Sequence, residues 1–381
     1  MAQNTCFQEC FASNPCINCL KQGIEKKFLS WTCGDRKLDL YLKKNQLDNL
    51  DNPMLLPIKW IPYEEFENLK LLRRGGEGII YMATWKFGPL GLGSENVILK
   101  CLYSSISDMF LKELDLQVSL YHTNTPLCFG VSQEPTTKNY MIVMEYAEDG
   151  DLQRFIRNKF KEFTWKDKLR LLCDVSKTLK IIHNAGLVHG DLHSGNILKS
   201  NNRFYISDFG LCRPFCKTTD PSKLCGVLPY VAPEVLNSKS HGPEADIYGF
   251  GMIMWEITSG KQPYESVTHN FDLAQDIIAG SRPPIVHGAP KEIVDLIKRC
   301  WNDNPIIRPS AAELSRIFEN WIIVEKFYEK WDADECVLFY DLDVEGENEE
   351  KFKQHTSQDN NTLNIDYISM PIDLIVPDEI Y

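Results

Sequence analysis

The sequence predicts an α+β protein of two lobes, a small β-rich N-terminal lobe followed by a larger α-helical C-terminal lobe. Three segments, residues 66–72, 79–85 and 96–102, are apolar or alternate between apolar and polar, and turn residues enclose them, which is typical of β-strands. Beyond Gly150 the apolar residues recur at helical spacing, as in Leu169, Leu172, Val175, Leu179 and Ile182. Because the strand-like segments precede the helical ones, the sheet and most helices are expected in separate lobes.

Two further elements complete the predicted small lobe. Residues 105–121 have helical spacing, with Met109, Leu116 and Leu120 on one side, and residues 140–144 resemble a strand. In the larger lobe the richest apolar run, residues 247–257, is short and interrupted by glycine. It therefore predicts a buried helix, and we expect no membrane span in this chain.

Composition divides the chain into four regions. Residues 1–50 form an N-terminal segment that carries five cysteines and then a polar helical stretch, and residues 51–63, with three prolines, predict a linker. Residues 64–324 predict the two-lobed domain. Residues 325–381 are acidic and polar, which predicts a disordered tail.

The net charge of −12 comes from this tail, since residues 332–381 contain 14 acidic and 2 basic residues and the rest of the chain contains 39 of each. A balanced body offers no electrostatic footprint for nucleic acid or an anionic membrane, and the tail would be repelled by both. We therefore expect no nucleic-acid partner. The 13 cysteines, without a secretory pattern at the N-terminus, are expected to be mostly reduced, which favours a cytoplasmic location.

Four short motifs lie inside the domain, in an order that chance seldom produces. They are Val-Ile-Leu-Lys at 97–100, His-Gly-Asp-Leu-His-Ser-Gly-Asn at 189–196, Asp-Phe-Gly at 208–210 and Ala-Pro-Glu at 232–234. Together they resemble the catalytic domain of protein kinases, and most closely the tyrosine-kinase-like branch. The resemblance covers residues 64–324. It implies the bilobal protein kinase fold, with ATP and Mg²⁺ as cofactors bound between the lobes.

The resemblance also implies a catalytic set of five residues. Lys100 matches the lysine that contacts the α- and β-phosphates of ATP, and Glu113 matches its ion-pair partner on the following helix. Asp191 matches the carboxylate that accepts or orients the proton of the substrate hydroxyl. Asn196 and Asp208 match the two magnesium ligands, and their oxygen donors suit a hard cation.

The nucleotide-binding residues implied by the same resemblance lie on a glycine-rich loop, on its flanking strands and at the hinge between the lobes. They are Leu72, Gly75, Gly76, Gly78, Ile80, Lys100, Met144, Glu145 and Ala147. Met144 matches the gatekeeper residue. The hinge backbone is expected to hydrogen-bond the adenine edge.

Three residues of the larger lobe match supporting positions of the family. Glu234 and Arg308 match an ion pair inside the helical lobe, and removal of one partner would leave a buried charge unpaired. Asp246 matches the helix residue that braces the catalytic loop.

The chain departs from the family pattern at several positions. Arg73 replaces the first glycine of the glycine-rich loop and Glu77 stands at its tip, which predicts weaker ATP binding. Gly190 replaces the arginine that usually binds a phosphate on the activation loop. We therefore predict that activity does not depend on phosphorylation of the activation loop through that contact. His193 and Val227 replace a lysine and a hydroxyl residue of the serine/threonine pattern.

The expected function is phosphate transfer from Mg-ATP to hydroxyl groups of a protein substrate, on serine or threonine as in most of this branch. The alternative is a pseudokinase, a scaffold that uses the fold to bind partners, and the departures favour it. The five intact catalytic residues outweigh them, because each has a direct chemical task. The acidic tail offers a contact for signalling partners.

Four cysteines near the N-terminus form the pattern C-x3-C-x5-C-x2-C, at Cys6, Cys10, Cys16 and Cys19. The last pair has the spacing of a zinc knuckle, and a structural zinc ion would give this segment a reason to fold. Only five residues separate the two pairs, so we favour a reduced, flexible segment without metal over a zinc site.

Overall fold

The structure is a computed structural model. It describes residues 33–49, 58–74, 78–89, 91–102, 108–120, 124–200, 202–214, 226–237, 241–286, 288–324 and 331. The chain divides into two compact units, one formed by residues 1–122 and 126–146 and the other by residues 123–125 and 147–381. The first contains a β-sheet and the second is mostly helical, so the predicted fold class is confirmed.

The first unit is built on a six-stranded sheet. Its elements are α1 (Arg36–Asp48), β1 (Lys59–Trp60), β2 (Phe66–Arg74), β3 (Gly78–Trp85), β4 (Glu95–Leu102), α2 (Asp108–Ser119), β5 (Cys128–Gln133) and β6 (Tyr140–Glu145). The strand order is β1-β5-β6-β4-β3-β2, and β1 pairs in parallel with β5 while the other pairs are antiparallel. The central strand β4 therefore lies between β3 and β6.

Side chains on the two faces of this sheet enter different buried clusters, because successive residues of a strand point to opposite faces. Along β6, Met141 and Val143 join the cluster that contains Val97 and Leu99 of β4. Ile142 joins the other cluster, which contains buried side chains of α1 and α2. The helix that carries Glu113 thus covers one face of the sheet.

The described part of residues 33–63 belongs to this first unit and is ordered against it. Asp35 caps α1, since its Oδ1 accepts hydrogen bonds from the backbone N–H groups of Lys37 and Leu38 at 2.7 and 3.1 Å. In the region that the sequence assigns to a linker, Lys59 and Trp60 form β1 beside Gly130 and Val131. The sequence pattern did not indicate this strand, because only two residues pair.

The second unit contains most of the helices. Its elements are β7 (Gly150–Asp151), α3 (Leu152–Lys159), α4 (Trp165–Asn184), β8 (Leu187–Val188), β9 (Ile197–Ser200), β10 (Arg203–Ile206), β11 (Arg213–Pro214), α5 (Pro233–Leu236), α6 (Pro243–Ser259), α7 (Phe271–Ile278), α8 (Lys291–Cys300) and α9 (Ala311–Ile323). Helix α6 contains the apolar run 247–257 and is buried along that run, as predicted. Among the described helices, none is both long and apolar enough to cross a membrane.

Trp331 lies in the region that the sequence assigns to the disordered tail, yet its side chain is buried. Its ring packs edge-on against Trp165 and Trp321, with ring centroids 5.3 and 5.6 Å away. The chain is therefore anchored on α4 and α9 at this point. The rest of the predicted tail, residues 325–330 and 332–381, lies outside the described residues.

Candidate active site

Lys100 and Glu113 form an ion pair in the first unit. Lys100 Nζ lies 2.5 Å from Glu113 Oε1, and both residues are buried, at 5% and 8% exposure. Strand β4 holds the lysine, and helix α2 presents the glutamate. The expected pairing is therefore present, and a buried charge pair of this kind depends strongly on both partners.

The described part of the predicted glycine-rich loop lies on β2 and β3. Leu72 is half-exposed on β2, and Ile80 on β3 pairs with Lys100 in the sheet. Gly75 and Gly76 lie outside the described residues. At Gly78, an added Cβ would stand 2.3 Å from the carbonyl oxygen of Cys101, so the close approach of β3 to β4 requires glycine here.

The predicted gatekeeper Met144 and the hinge residue Glu145 end β6, and Ala147 follows the strand. Met144 packs beside the buried cluster that contains Phe110 and Leu114 of α2. Glu145 is fixed twice by Leu127, since its backbone N–H donates to the Leu127 carbonyl at 2.9 Å and its Oε2 accepts from the Leu127 N–H at 3.1 Å. Ala147 begins the second unit, where its carbonyl accepts a hydrogen bond from the Gly150 N–H at 3.1 Å.

In the second unit, Asp191 and Asn196 are joined within one loop. Asn196 Nδ2 donates to the backbone carbonyl of Asp191 at 2.9 Å and to its Oδ2 at 3.2 Å. Both residues are buried, at 8% and 2% exposure. Because the amide nitrogen is committed to Asp191, Oδ1 is the atom of Asn196 that can ligate a cation.

His193 borders the same carboxylate. Its Nδ1 accepts the backbone N–H of Gly195 at 3.1 Å, and its Nε2 lies 3.7 Å from Asp191 Oδ2. Burial acts to raise the pKa of Asp191, but the charge and hydrogen bonding of His193 and the charge of His189 outweigh it, so the pKa is lowered. The carboxylate is therefore ionised at neutral pH, which suits a group that attracts a proton.

Asp208 is held in an unusual backbone conformation. Its φ angle is +66°, in the left-handed region, which non-glycine residues adopt mainly where the surrounding structure enforces it. The next residue, Phe209, is buried with its ring 5.5 Å from His189. The charge of Asp208 acts to raise the pKa of Asp191, against the net lowering.

The donor set fits magnesium. A carboxylate from Asp208 and the amide oxygen of Asn196 are hard oxygen ligands, and Mg²⁺ is commonly held by one or two such groups together with phosphate oxygens and water. Within the described ranges, no three histidine, cysteine, aspartate or glutamate side chains cluster to hold a metal ion. The predicted zinc ligands Cys6, Cys10, Cys16 and Cys19 lie outside those ranges.

Asp246 holds the start of the catalytic loop from helix α6. Its Oδ2 accepts the backbone N–H of His189 at 2.8 Å, and its Oδ1 accepts that of Gly190 at 3.0 Å. The same Oδ2 lies 2.8 Å from His183 Nε2, a partner that the sequence did not reveal. The expected brace is thus present, with a histidine added to it.

A second buried network lies beneath the loop, and sequence reasoning missed it. Tyr230 Oη donates to Glu256 Oε2 at 2.7 Å and lies 3.2 Å from Ser194 Oγ. Burial raises the pKa of Glu256 to about 7 against the opposing hydrogen bonds from Tyr230 and Ser194. The sequence offered one indication of this network, since Glu256 is a charged residue within the apolar run 247–257.

Glu234 and Arg308 form the predicted ion pair. Two parallel contacts join the guanidinium to the carboxylate, NH1 to Oε1 at 2.7 Å and NH2 to Oε2 at 2.8 Å. Arg308 also donates to the carbonyls of Asn302 and Glu244. This fork holds α5 onto the helical core.

Comparisons with known proteins agree with this arrangement. Residues 65–318 match the family model described as protein tyrosine and serine/threonine kinase. A probable serine/threonine-protein kinase, drkD of Dictyostelium discoideum, is 31% identical over 277 residues, covering 70% of this chain and 20% of the relative. The putative serine/threonine-protein kinase/receptor R831 of Acanthamoeba polyphaga mimivirus is 30% identical over 281 residues, covering 71% of this chain and 16% of the relative.

A plant protein, the serine/threonine/tyrosine-protein kinase HT1 of Arabidopsis thaliana, is 27% identical over 239 residues, covering 61% of this chain and 57% of the relative. The chain thus spans less than two thirds of the length of each of these relatives.

Proposed function

Because the chain belongs to the family of protein tyrosine and serine/threonine kinases, we propose that it transfers the γ-phosphate of Mg-ATP to serine or threonine hydroxyls of a protein. One observation carries this proposal most directly. Asn196 ties its amide nitrogen to Asp191 and keeps its oxygen for a cation, so the base and a metal ligand are oriented by the same side chain.

Asp191 performs the proton chemistry. Its lowered pKa keeps the carboxylate ionised, so that it can accept a hydrogen bond from the substrate hydroxyl and orient the oxygen for attack. Nε2 of His193 lies 3.7 Å from the Asp191 carboxylate and borders the same space. Positioning of this kind supplies most of the catalysis in phosphoryl transfer.

Lys100 supplies positive charge for the phosphates of ATP. Glu113 Oε1 lies 2.5 Å from the ammonium group, so the lysine is held in place by an opposite charge within a buried site. Asn196 Oδ1 and Asp208 would hold magnesium, which neutralises phosphate charge when bound. The positive charge of Lys100 would stabilise the negative charge that the transferred phosphoryl group spreads over its oxygens.

The rival function is a scaffold without catalysis. Its support comes from Arg73, Gly190, His193 and Val227, which depart from the common pattern. These four departures leave the five residues of the catalytic set unchanged, and Lys100 keeps its buried partner Glu113. The names of the similar proteins, which are all called kinases, also favour catalysis over scaffolding.

The test is transfer of labelled phosphate by the full chain to itself and to a generic protein substrate, with magnesium, beside Asp191→Asn. We expect transfer by the wild type and a loss of about three orders of magnitude or more in the variant, since the positioned carboxylate is removed. Asp295→Asn, an exposed residue of α8, is the matched control. Phosphoamino-acid analysis identifies the acceptor. Folded wild-type protein that transfers no phosphate at millimolar ATP would establish the scaffold instead.

We propose a cytoplasmic location and an interaction of the acidic tail with signalling partners as finer parts of this function. The six described cysteines are free thiols, which suits a reducing compartment. Cell fractionation tests the location, and partner capture with and without residues 332–381 tests the tail. Zinc at the N-terminal cysteines remains one of two alternatives, and metal analysis of the full chain beside Cys16→Ser distinguishes them.

A further inference from the structure

Residues 33–49 pack onto the kinase domain although they precede the segment that matches the family, residues 65–318. Leu38 and Leu42, one helical turn apart on α1, are both 0% exposed. They share a buried cluster with Phe110 and Leu114, which are one turn apart on α2 and also 0% exposed. Two apolar stripes therefore meet in one core.

Polar contacts fix this segment, which we call the N-terminal brace, at three places. Tyr41 Oη donates to Asp115 Oδ1 of α2 at 3.1 Å. Tyr140 Oη, on β6, donates to the carbonyl of Cys33 at 3.1 Å, and Gln46 Nε2 donates to the carbonyl of Ile58 at 2.9 Å. Burial and the neighbouring Asp115 raise the pKa of Tyr41, so its hydroxyl stays protonated and remains a donor.

The contacted helix is the one that positions the catalytic glutamate. Glu113 lies between residues that the brace contacts on α2. Phe110 precedes it, and Leu114 and Asp115 follow it directly. Its own carboxylate reaches in the direction of Lys100, 2.5 Å away. A shift of α2 would therefore move Glu113 relative to the lysine, because backbone and side chain move together in a helix.

We propose that the N-terminal brace is a built-in positioning element for catalysis, which holds α2 where Glu113 pairs with Lys100. Leu38 and Leu42 anchor it, and Tyr41 is a positioning residue that sets its contact with Asp115. This inference rests on the proposed kinase function. It adds that activity depends on a segment outside the conventional catalytic domain, and that release of the segment lowers activity.

Leu42→Ala in the full chain is the first test, with Leu40→Ala as its control. Leu40 lies on the same helix but is 59% exposed, so its removal leaves the buried cluster intact. We expect Leu42→Ala to lower kcat/KM for phosphate transfer about tenfold, in the range typical of coupling between linked elements. Hydrogen exchange should become faster in residues 108–119 of this variant and remain unchanged in the Leu40→Ala protein.

Double-mutant cycles separate positioning from general stability. In a Glu113→Gln background the ion pair is already weakened, so Leu42→Ala should reduce kcat/KM little further if it acts through Glu113. Tyr41→Phe and Asp115→Ala should likewise cause similar, non-additive losses. Asp115→Asn keeps an acceptor oxygen and should restore most of the activity. Tyr41→Phe serves as the milder variant, because it preserves the ring and changes only the hydroxyl.

Two results would overturn the inference. One is a Leu42→Ala loss that is as large in the Glu113→Gln protein as in the wild type. The other is hydrogen exchange in residues 108–119 that does not differ between the two leucine variants. If the wild type transfers no phosphate, the proposed function fails, but the hydrogen-exchange comparison still decides whether the brace holds α2.

Discussion

The backbone N–H of Gly190 donates a 3.0 Å hydrogen bond to Oδ1 of Asp246, although 56 positions separate the two residues. The other oxygen of Asp246 accepts the N–H of His189 at 2.8 Å. A fully buried carboxylate thus holds two successive amides directly before Asp191. The helical core of the second unit thereby fixes the backbone that directly precedes Asp191.

Asp246→Asn should destabilise the protein and lower kcat. The amide of asparagine presents an N–H group where one carboxylate oxygen accepts a hydrogen bond, so a buried backbone N–H loses its acceptor. We expect this to lower the free energy of unfolding by about 3 kcal/mol. Urea denaturation measures this cost. Asp295→Asn, exposed on α8, should stay within about 0.5 kcal/mol.

The same variant makes a prediction about pH. Burial alone would raise the pKa of Asp246. The opposing effect is larger and comes from hydrogen bonding and charge of His183, the charge of His189 and the Gly190 N–H, so the net shift is downward. The Asp246 carboxylate therefore contributes to the free energy of unfolding above its unfolded-state pKa of about 3.9. This contribution is lost as pH falls through the lowered pKa of the folded state. The stability difference between wild type and Asp246→Asn should shrink below about pH 4; a difference that grows there would contradict this assignment.

Gly190→Ala should cost more than Gly186→Ala. Both glycines have positive φ, +81° and +73°, which costs an alanine about 1–2 kcal/mol. An added Cβ at Gly190 would stand 3.0 Å from the carbonyl of Leu211, whereas at Gly186 nothing lies within 4 Å. Thermal unfolding of the two variants isolates this contact. Equal losses would show that the backbone at Leu211 moves freely.

Activity should not depend on activation-loop phosphorylation through position 190. Gly190 has no side chain to pair with a phosphate, and Asp246 holds its backbone instead. Phosphatase treatment should therefore change the rate of phosphate transfer by no more than about twofold. Loss of a phosphate that orders a loop through charge-assisted hydrogen bonds would change the rate far more. A large loss after treatment would mean that another residue binds the phosphate.

Sequence patterns predicted the elements whose signals are local or belong to family motifs. Strands β2, β3, β4 and β6, the α2 helix and the pairs Lys100–Glu113 and Glu234–Arg308 are of this kind. Each motif residue has one chemical task, and its partner occurs at a characteristic distance along the chain. The catalytic roles of Asp191, Asn196 and Asp208 stay predictions until the variants are assayed.

Other features depend on tertiary contacts that no local pattern encodes. Helix α1 buries Leu38 and Leu42 but leaves Leu40 exposed, so its attachment to the first unit is visible only in the fold. Trp331 gave no signal, because its two aromatic partners come from α4 and α9. Gly78 was assigned to phosphate binding, but the approach of β3 to β4 also requires it.

Arg308→Lys should destabilise the helical lobe even though the charge is kept. The guanidinium makes two parallel contacts with Glu234 and further ones with two carbonyls, and an ammonium group cannot reproduce this planar fork. Arg308 is buried, so we expect a loss of about 3 kcal/mol in urea denaturation. Arg299→Lys is the control, since its pair with Glu313 is exposed and is expected to contribute about 0–1 kcal/mol. Similar losses in both would show that the fork contributes no more than a surface pair.

Glu256→Gln should change how stability depends on pH. Glu256 is fully buried, and burial raises its pKa to about 7 against hydrogen bonds from Tyr230 and Ser194. A raised carboxyl pKa means that the native state favours the neutral acid. The stability that the neutral Glu256 carboxyl contributes is therefore fully present below its pKa in the unfolded chain, and it is lost as pH rises through 7. Wild-type stability should therefore fall by about 3 kcal/mol relative to Glu256→Gln between pH 4.5 and pH 8.

Denaturation of both proteins across this pH range measures the effect, with Glu292→Gln, exposed on α8, as the control that should follow the wild type. Because Tyr230 links Glu256 to Ser194 in the catalytic loop, kcat of the wild type should decline over the same interval while that of Glu256→Gln stays level. A constant stability difference from pH 4.5 to 8 would mean that Glu256 does not change its charge there. In that case the buried carboxylate would be held ionised by its hydrogen bonds, and its role would be to order Tyr230 independently of pH.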